Sequence, residues 1–180
     1  MKSKQITLVL GGVASGKSRY AQALARAANQ VVFLATAQAC DEEMRAKIAR
    51  HVRDRPSSWK TVEVPFELSG AILEHGTCSL LIIDCLTTFT TNLLVARRAN
   101  YEAIIARFED IASALERIPA SAVLVSNEVG SGIVPEFASG RQFREILGQV
   151  NEKIARIADN VILMVAGCPL AVKGRAEVPS

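Results

Sequence analysis

The chain has 180 residues, 49% of them apolar and 22% charged, enough for one full hydrophobic core. No linker, repeat or low-complexity tract divides it, so a single domain over 1–180 is expected. The net charge of +3 comes from dispersed residues and only 5% of side chains are aromatic, which argues against a nucleic-acid partner. No apolar run is long enough to cross a bilayer, and the first is too short for a signal-peptide core. Cys40, Cys78, Cys85 and Cys168 lack C-x-x-C spacing and read as reduced core residues, so a cytoplasmic protein is expected.

Ile6 to Leu10 reads as a buried strand feeding Gly11-Gly12-Val13-Ala14-Ser15-Gly16-Lys17-Ser18. That stretch fits G-x-x-x-x-G-K-[ST] at every fixed position. The spacing of Tyr20, Leu24 and Ala27 predicts a helix over Arg19 to Ala28. Strand, glycine turn and helix N-terminus together aim unpaired N–H groups at one point, with the helix dipole behind them. Gly11, Gly12 and Gly16 allow positive φ and close backbone approach to a polyphosphate. Lys17 is expected to neutralise the β- and γ-phosphates, and the Ser18 hydroxyl to ligate Mg²⁺. A bound nucleoside triphosphate follows.

Val31 to Ala35 is a second strand, and Thr36-Ala37-Gln38 lies at its carboxyl end, where open α/β sheets place ligands. Asp41-Glu42-Glu43 opens a helix with the stripe Met44, Ile48, His51 and Val52, and Pro56 ends it. Two readings of His51 stand side by side. It either packs in the core, or is an imidazole kept neutral by nearby cations and able to act as a nucleophile. Arg50, Arg53 and Arg55 likewise either hold phosphate or form a solvated face. His75, at a helix end, reads as structural.

Trp59 to Val64 is a third strand containing Glu63, and Phe66 to Leu73 a short helix. Leu80-Leu81-Ile82-Ile83-Asp84 has the form of a Walker B strand whose carboxylate reaches Mg²⁺. Cys85 follows where hydrolytic NTPases commonly carry a glutamate base, which points to group transfer rather than hydrolysis. A helical region from Thr87, an Asn100-capped helix to Ile118 and a strand over Ala122 to Asn127 come next. The glycine-rich loop Glu128 to Glu136 then leads to a helix over Phe143 to Ala158. A strand over Asn160 to Val165 follows, with Ala171 to Lys173 pairing beside it through a Gly167-Cys168-Pro169 turn. This alternation predicts a P-loop NTPase-type three-layer α/β sandwich, RecA-like, with a mostly parallel sheet.

Gly11–Ser18, Ala35–Gln38, the stretch from Asp41 through His51 to Trp59, Leu81–Thr88 and Asn127–Glu136 together resemble one family. It is the bifunctional adenosylcobinamide kinase/adenosylcobinamide-phosphate guanylyltransferase, and the resemblance runs from about Ile6 to Val172. The segments Asn-Glu-Val-Gly-x-Gly-Ile-Val-Pro-Glu and His-x-x-x-x-Pro-x-x-Trp carry it more specifically than the phosphate loop. The resemblance implies phosphorylation of adenosylcobinamide by ATP or GTP, then transfer of GMP from GTP through a guanylylated His51 to give adenosylcobinamide-GDP. It further implies that Arg53, Asp54, Arg55, Glu63 and Asp84 contact the guanine nucleotide, and that the protein is a trimer. Members often carry Arg where this chain has Ala14, and His where it has Arg50. A monofunctional small-molecule kinase and a non-catalytic nucleotide-dependent binding protein are the competing readings.

Overall fold

The computed structural model describes residues 4–39, Glu42, Arg45, Ala49, Val52, Arg53 and 55–177. Its strands are β1 (Ile6–Gly11), β2 (Val31–Ala35), β3 (Lys60–Glu63), β4 (Leu80–Asp84), β5 (Ser121–Val125), β6 (Asn160–Val165) and β7 (Cys168–Lys173). They form one seven-stranded sheet in the order β3-β2-β4-β5-β1-β6-β7. All neighbours are parallel except β6 and β7. The helices are α1 (Lys17–Ala25), α2 (Leu68–His75), α3 (Leu86–Val95), α4 (Tyr101–Arg117) and α5 (Ala138–Ile157). Glu42, Arg45, Ala49, Val52 and Arg53 are also helical, and all five are exposed.

The central strands are continuous aliphatic runs because a parallel sheet is covered on both faces. Alternate residues divide between two cores. Leu8, Leu34, Leu81, Ile83 and Leu124 pack with the buried stripes of α2 to α5. On the other face Val9, Val123, Val125, Ile162 and Met164 cover Tyr20 and Ala21 of α1, and Phe33 and Ile82 cover Ala25. Asn100 caps α4 by accepting from the Ala103 N–H at 2.9 Å. The Phe108 ring of α4 meets Phe89 of α3 edge-on, with centroids 5.8 Å apart.

Four expectations change. The β6–β7 turn is Ala166-Gly167, with φ of 50° and 84°, because a two-residue hairpin needs left-handed conformations to match strand twist. Pro169 is paired opposite Met164, which the edge position of β7 allows since nothing there needs its missing N–H. Cys168 is an exposed thiol on that strand rather than a core residue. Helix α5 starts at Ala138, a turn before Phe143, with Arg141 Nη1 donating to the Pro135 carbonyl at 3.1 Å. Val52, expected on an inward stripe, is 48% exposed. The Arg55 guanidinium, 3.5 Å from the Phe33 ring centroid, covers the sheet nearby instead.

Candidate nucleotide-transfer site

The loop after β1 is shaped by what its residues lack. A Cβ on Gly11, at φ 152°, would stand 2.6 Å from the Met164 carbonyl oxygen. Gly16, at φ 93°, is the N-cap of α1 and supplies no side-chain acceptor, which leaves the first N–H groups of the helix for a ligand. Of the three glycines that allow positive φ, Gly11 and Gly16 take it and Gly12 does not. Ala14 takes the left-handed position instead, at φ 57°. Gly12, Val13 and Ala14 are exposed at the loop's rim, and Ser18 is half-buried. Lys17 is buried and its Nζ donates to the Gly12 carbonyl. The Ser15 hydroxyl is buried and has no hydrogen-bond partner among the described residues. Two late segments brace the loop: Glu128 N–H donates to Gly11 O at 3.0 Å, and Gly167 N–H to Ser15 O at 3.1 Å.

Across β5 lies Asp84, the last residue of β4. Register puts Glu63, Ala35, Asp84, Val125, Val9 and Ile162 in one transverse row. In a parallel sheet such a row shares a face, here the face that carries α1. Arg55 lies on the same face, over Phe33. Burial pulls its guanidinium below its usual range, while the charge of Asp84 acts in the opposite direction. Its Nε is buried without a partner among the described residues.

Side chains fix the turn after Asp84. Thr36 is fully buried, and its hydroxyl accepts the Cys85 N–H and donates to the Cys85 carbonyl, both at 2.8 Å. Asn92 of α3 donates its amide to Thr36 O at 2.8 Å and to Pro65 O at 3.1 Å. The Cys85 sulfur caps α3 by accepting from the Thr88 N–H at 3.4 Å. Burial first, and then Asp84, push this thiol's pKa up. Thr87 Oγ1 accepts from the Asn127 N–H at 2.7 Å and so ties α3 to the loop after β5. Sequence reasoning missed Asn92 and Thr87, because their partners are 27 to 56 residues away in the chain.

Of the sequence-predicted residues, Gly11 to Ser18, Thr36, Ala37, Asp84, Arg55 and Glu63 gather at the carboxyl ends of β1 to β4. Arg53 is exposed and helical beside them in sequence. His51 and Asp54 lie outside the described residues, as do Cys40, Met44, Ile48 and Arg50. His75 ends α2 at the opposite end of β4, 3.7 Å from Glu74. Ser18 and Asp84 offer one hydroxyl and one carboxylate. Among the described residues no three His, Cys, Asp or Glu side chains converge as a metal cage. That sparse oxygen set suits Mg²⁺, which is bound by one or two protein oxygens together with substrate phosphates.

A glycine loop between strand and helix, with the acidic strand two places away across β5, defines a nucleotide-binding protein of the P-loop class and RecA-like order. Its fold is similar to that of an ATPase from a bacterial type III secretion system, with a TM-score of 0.54 and 14% identity over 88% of this chain and 50% of that one. The particular family follows from sequence. Residues 7–172 match cobinamide kinase / cobinamide phosphate guanyltransferase, and the chain belongs to that family. It is 40% identical to the bifunctional adenosylcobalamin biosynthesis protein CobU of Escherichia coli, over 92% of this chain and 98% of that protein. Identity to CobU of Salmonella typhimurium is 41%, with the same coverage. For the bifunctional protein CobP of Pseudomonas aeruginosa it is 39%, over 93% of this chain and 96% of the relative. The chain is an enzyme of cobalamin biosynthesis, a kinase and a guanyltransferase. Among the described residues, no helix is long and apolar enough to cross a membrane.

Proposed function

We propose that one site at the carboxyl ends of β1 and β4 performs both transfers, phosphorylation of adenosylcobinamide and then guanylylation of its phosphate. In the first, a hydroxyl of adenosylcobinamide attacks the γ-phosphate of ATP or GTP, the bond to the β-phosphate oxygen breaks, and the nucleoside diphosphate leaves. The α1 N–H groups and Lys17 stabilise the charge that spreads over the transferring group. Ser18 and Asp84 would hold Mg²⁺, which supplies further charge neutralisation when bound. In the second, an imidazole nitrogen of His51 attacks the α-phosphate of GTP and expels pyrophosphate. A phosphate oxygen of adenosylcobinamide phosphate then displaces the imidazole, breaking the P–N bond and giving adenosylcobinamide-GDP.

The observation that carries this reading is the uncapped N-terminus of α1 facing the same end of the sheet as Asp84, with Cys85 in place of a hydrolytic base. Arg55 and Glu63, on the Asp84 face, are assigned with Arg53, Asp54, Thr36 and Ala37 to the guanine nucleotide. His51 as nucleophile rests on the family resemblance, as does assembly into a trimer. A single domain in the reducing cytoplasm fits the free thiols of Cys78, Cys85 and Cys168. The test is the intact mass of the protein after incubation with GTP and Mg²⁺. A gain of one GMP, labile to mild acid, stable to alkali and absent from His51→Ala, is expected. An unmodified mass with nucleotide bound would reduce the site to a kinase and return His51 to packing.

A further inference from the structure

Neither transfer draws on the glycine-rich loop Glu128–Glu136, although the loop rises from the middle of the site. It follows β5, the strand that lies between β1 and β4. Its start is bonded to both sides, by Glu128 N–H to Gly11 O at 3.0 Å and by Asn127 N–H to Thr87 Oγ1 at 2.7 Å. Side chains hold the rest. Glu128 Oε1 accepts the Gly130 N–H at 2.7 Å, while Arg144 Nη2 and Arg141 Nη1 of α5 donate to the Gly130 and Pro135 carbonyls. The loop so held turns apolar side chains to water: Ile133 is 96% exposed, Val134 65% and Phe137 74%. Large apolar groups fixed together in water mark a surface that a ligand covers. Beside them lies a groove of about 380 Å³, lined by Gly130 and Val134 of the loop and by Arg141, Arg144, Glu145 and Glu152 of α5. Its guanidiniums and carboxylates cancel in charge, so it suits a neutral polar group. Arg144 Nη1 is buried with no hydrogen-bond partner among the described residues, which leaves a donor for such a group.

Helix α5 runs antiparallel to β1, since the Asp159 N–H that follows it donates to Ile6 O at the start of that strand. Asn151 Nδ2 donates to Asn127 O at 3.0 Å, level with the carboxyl end of β5. From Asn151 back to Ala138 the helix continues for roughly 20 Å along its axis. Loop and groove therefore stand beyond the sheet, at the end where the phosphate loop lies. An acceptor hydroxyl approaches the γ-phosphate opposite the leaving oxygen, so the rest of its molecule lies outside the phosphate loop. Adenosylcobinamide is bulky, and its corrin ring carries methyl groups and carboxamides around the edge. We propose that the loop and the first turns of α5 are the docking surface for that ring. Ile133, Val134 and Phe137 cover its methyl-bearing edge, and the groove takes carboxamides whose oxygens accept from Arg141 and Arg144. The assignment rests on the reading of this site as the one that phosphorylates adenosylcobinamide.

The test is equilibrium dialysis of adenosylcobinamide, followed by its visible absorption, with a non-hydrolysable ATP analogue present. Wild type is compared with Ile133→Ser and with the double variant Ile133→Ser/Phe137→Ser. Calorimetry gives the affinity for the analogue, sedimentation the oligomeric state, and melting curves confirm folding, which two exposed positions should not disturb. Affinity for adenosylcobinamide should fall by about tenfold or more in the double variant and by part of that in Ile133→Ser. The analogue should change by less than about twofold, with sedimentation unaltered. Unchanged corrinoid affinity would overturn the proposal. So would a changed oligomeric state, which makes the surface an interface between copies, or equal losses for both ligands, which makes the loop a brace of the nucleotide site. A wild-type protein that bound the analogue but no adenosylcobinamide would instead overturn the proposed function itself.

Discussion

The site has two halves, on either side of β5, and they are held by different kinds of bond. The phosphate loop is fixed mostly by main chain, Ser15 N–H to Gly12 O, Glu128 N–H to Gly11 O and Gly167 N–H to Ser15 O, with Lys17 Nζ also on Gly12 O. The turn carrying Asp84 is fixed by the side chains of Thr36, Asn92, Thr87 and Cys85. A half built from backbone is sensitive to side chains that are added, and one built from hydroxyls and an amide to side chains that are removed. Ala14 belongs to the first kind: it is exposed, and what the loop takes from it is its left-handed φ of 57°.

The contrast can be broken most forcibly at Gly11. Gly11→Ala puts a methyl 2.6 Å from the Met164 carbonyl, and titration should find nucleotide affinity reduced by about a hundredfold. Wild-type affinity in this variant would mean that the loop is not fixed as described. Each half also carries a thiol. Cys168 in the exposed hairpin should react with iodoacetamide at least about a hundred times faster than Cys85 or Cys78, whose pKa values burial raises. Peptide mapping of the labelled protein reads this directly, and comparable rates would show that the Asp84 half opens freely.

A smaller effect is expected at Thr36. Thr36→Val leaves the Cys85 N–H and carbonyl without their partner, at a cost of about 2–3 kcal/mol. Calorimetric melting should show Tm lower by roughly 5–10 °C, with Thr36→Ser recovering most of it. The smallest change runs the other way. Ala14→Gly relieves a left-handed φ of 57° and should stabilise the fold by about 0.5–1 kcal/mol in urea titrations. Destabilisation there would give the alanine methyl a role that its exposure denies.

Legibility in the sequence followed the same division. The phosphate loop could be read because its residue types and glycine spacing are contiguous in the chain, although the Glu128 and Gly167 N–H groups that brace it are distant. Asp84 could be read as the polar end of an apolar run. Thr36 was recognisable as a residue at a strand's carboxyl end, but its hydroxyl turns to Cys85 because β2 lies beside β4, a pairing that no local pattern encodes. Asn92 is hidden for the same reason, as a polar residue inside an apolar helix whose acceptors belong to other strands. The hairpin turn was misplaced because Pro169 looks like a turn residue until β7 is known to be the sheet's edge.

The pairing of β1 also has a consequence during synthesis. Among the described residues β1 bonds only to β5 and β6, which leave the ribosome more than a hundred residues after it. At ordinary translation rates roughly five to thirty seconds separate the emergence of the loop from that of its braces. In that interval the nascent chain has the loop's residues but not its shape, and the Gly167 clasp on Ser15 arrives later still. Nucleotide binding is therefore a property acquired only after β5 and β6 have emerged. A chain stopped before β5 should be unable to compete for ATP or GTP.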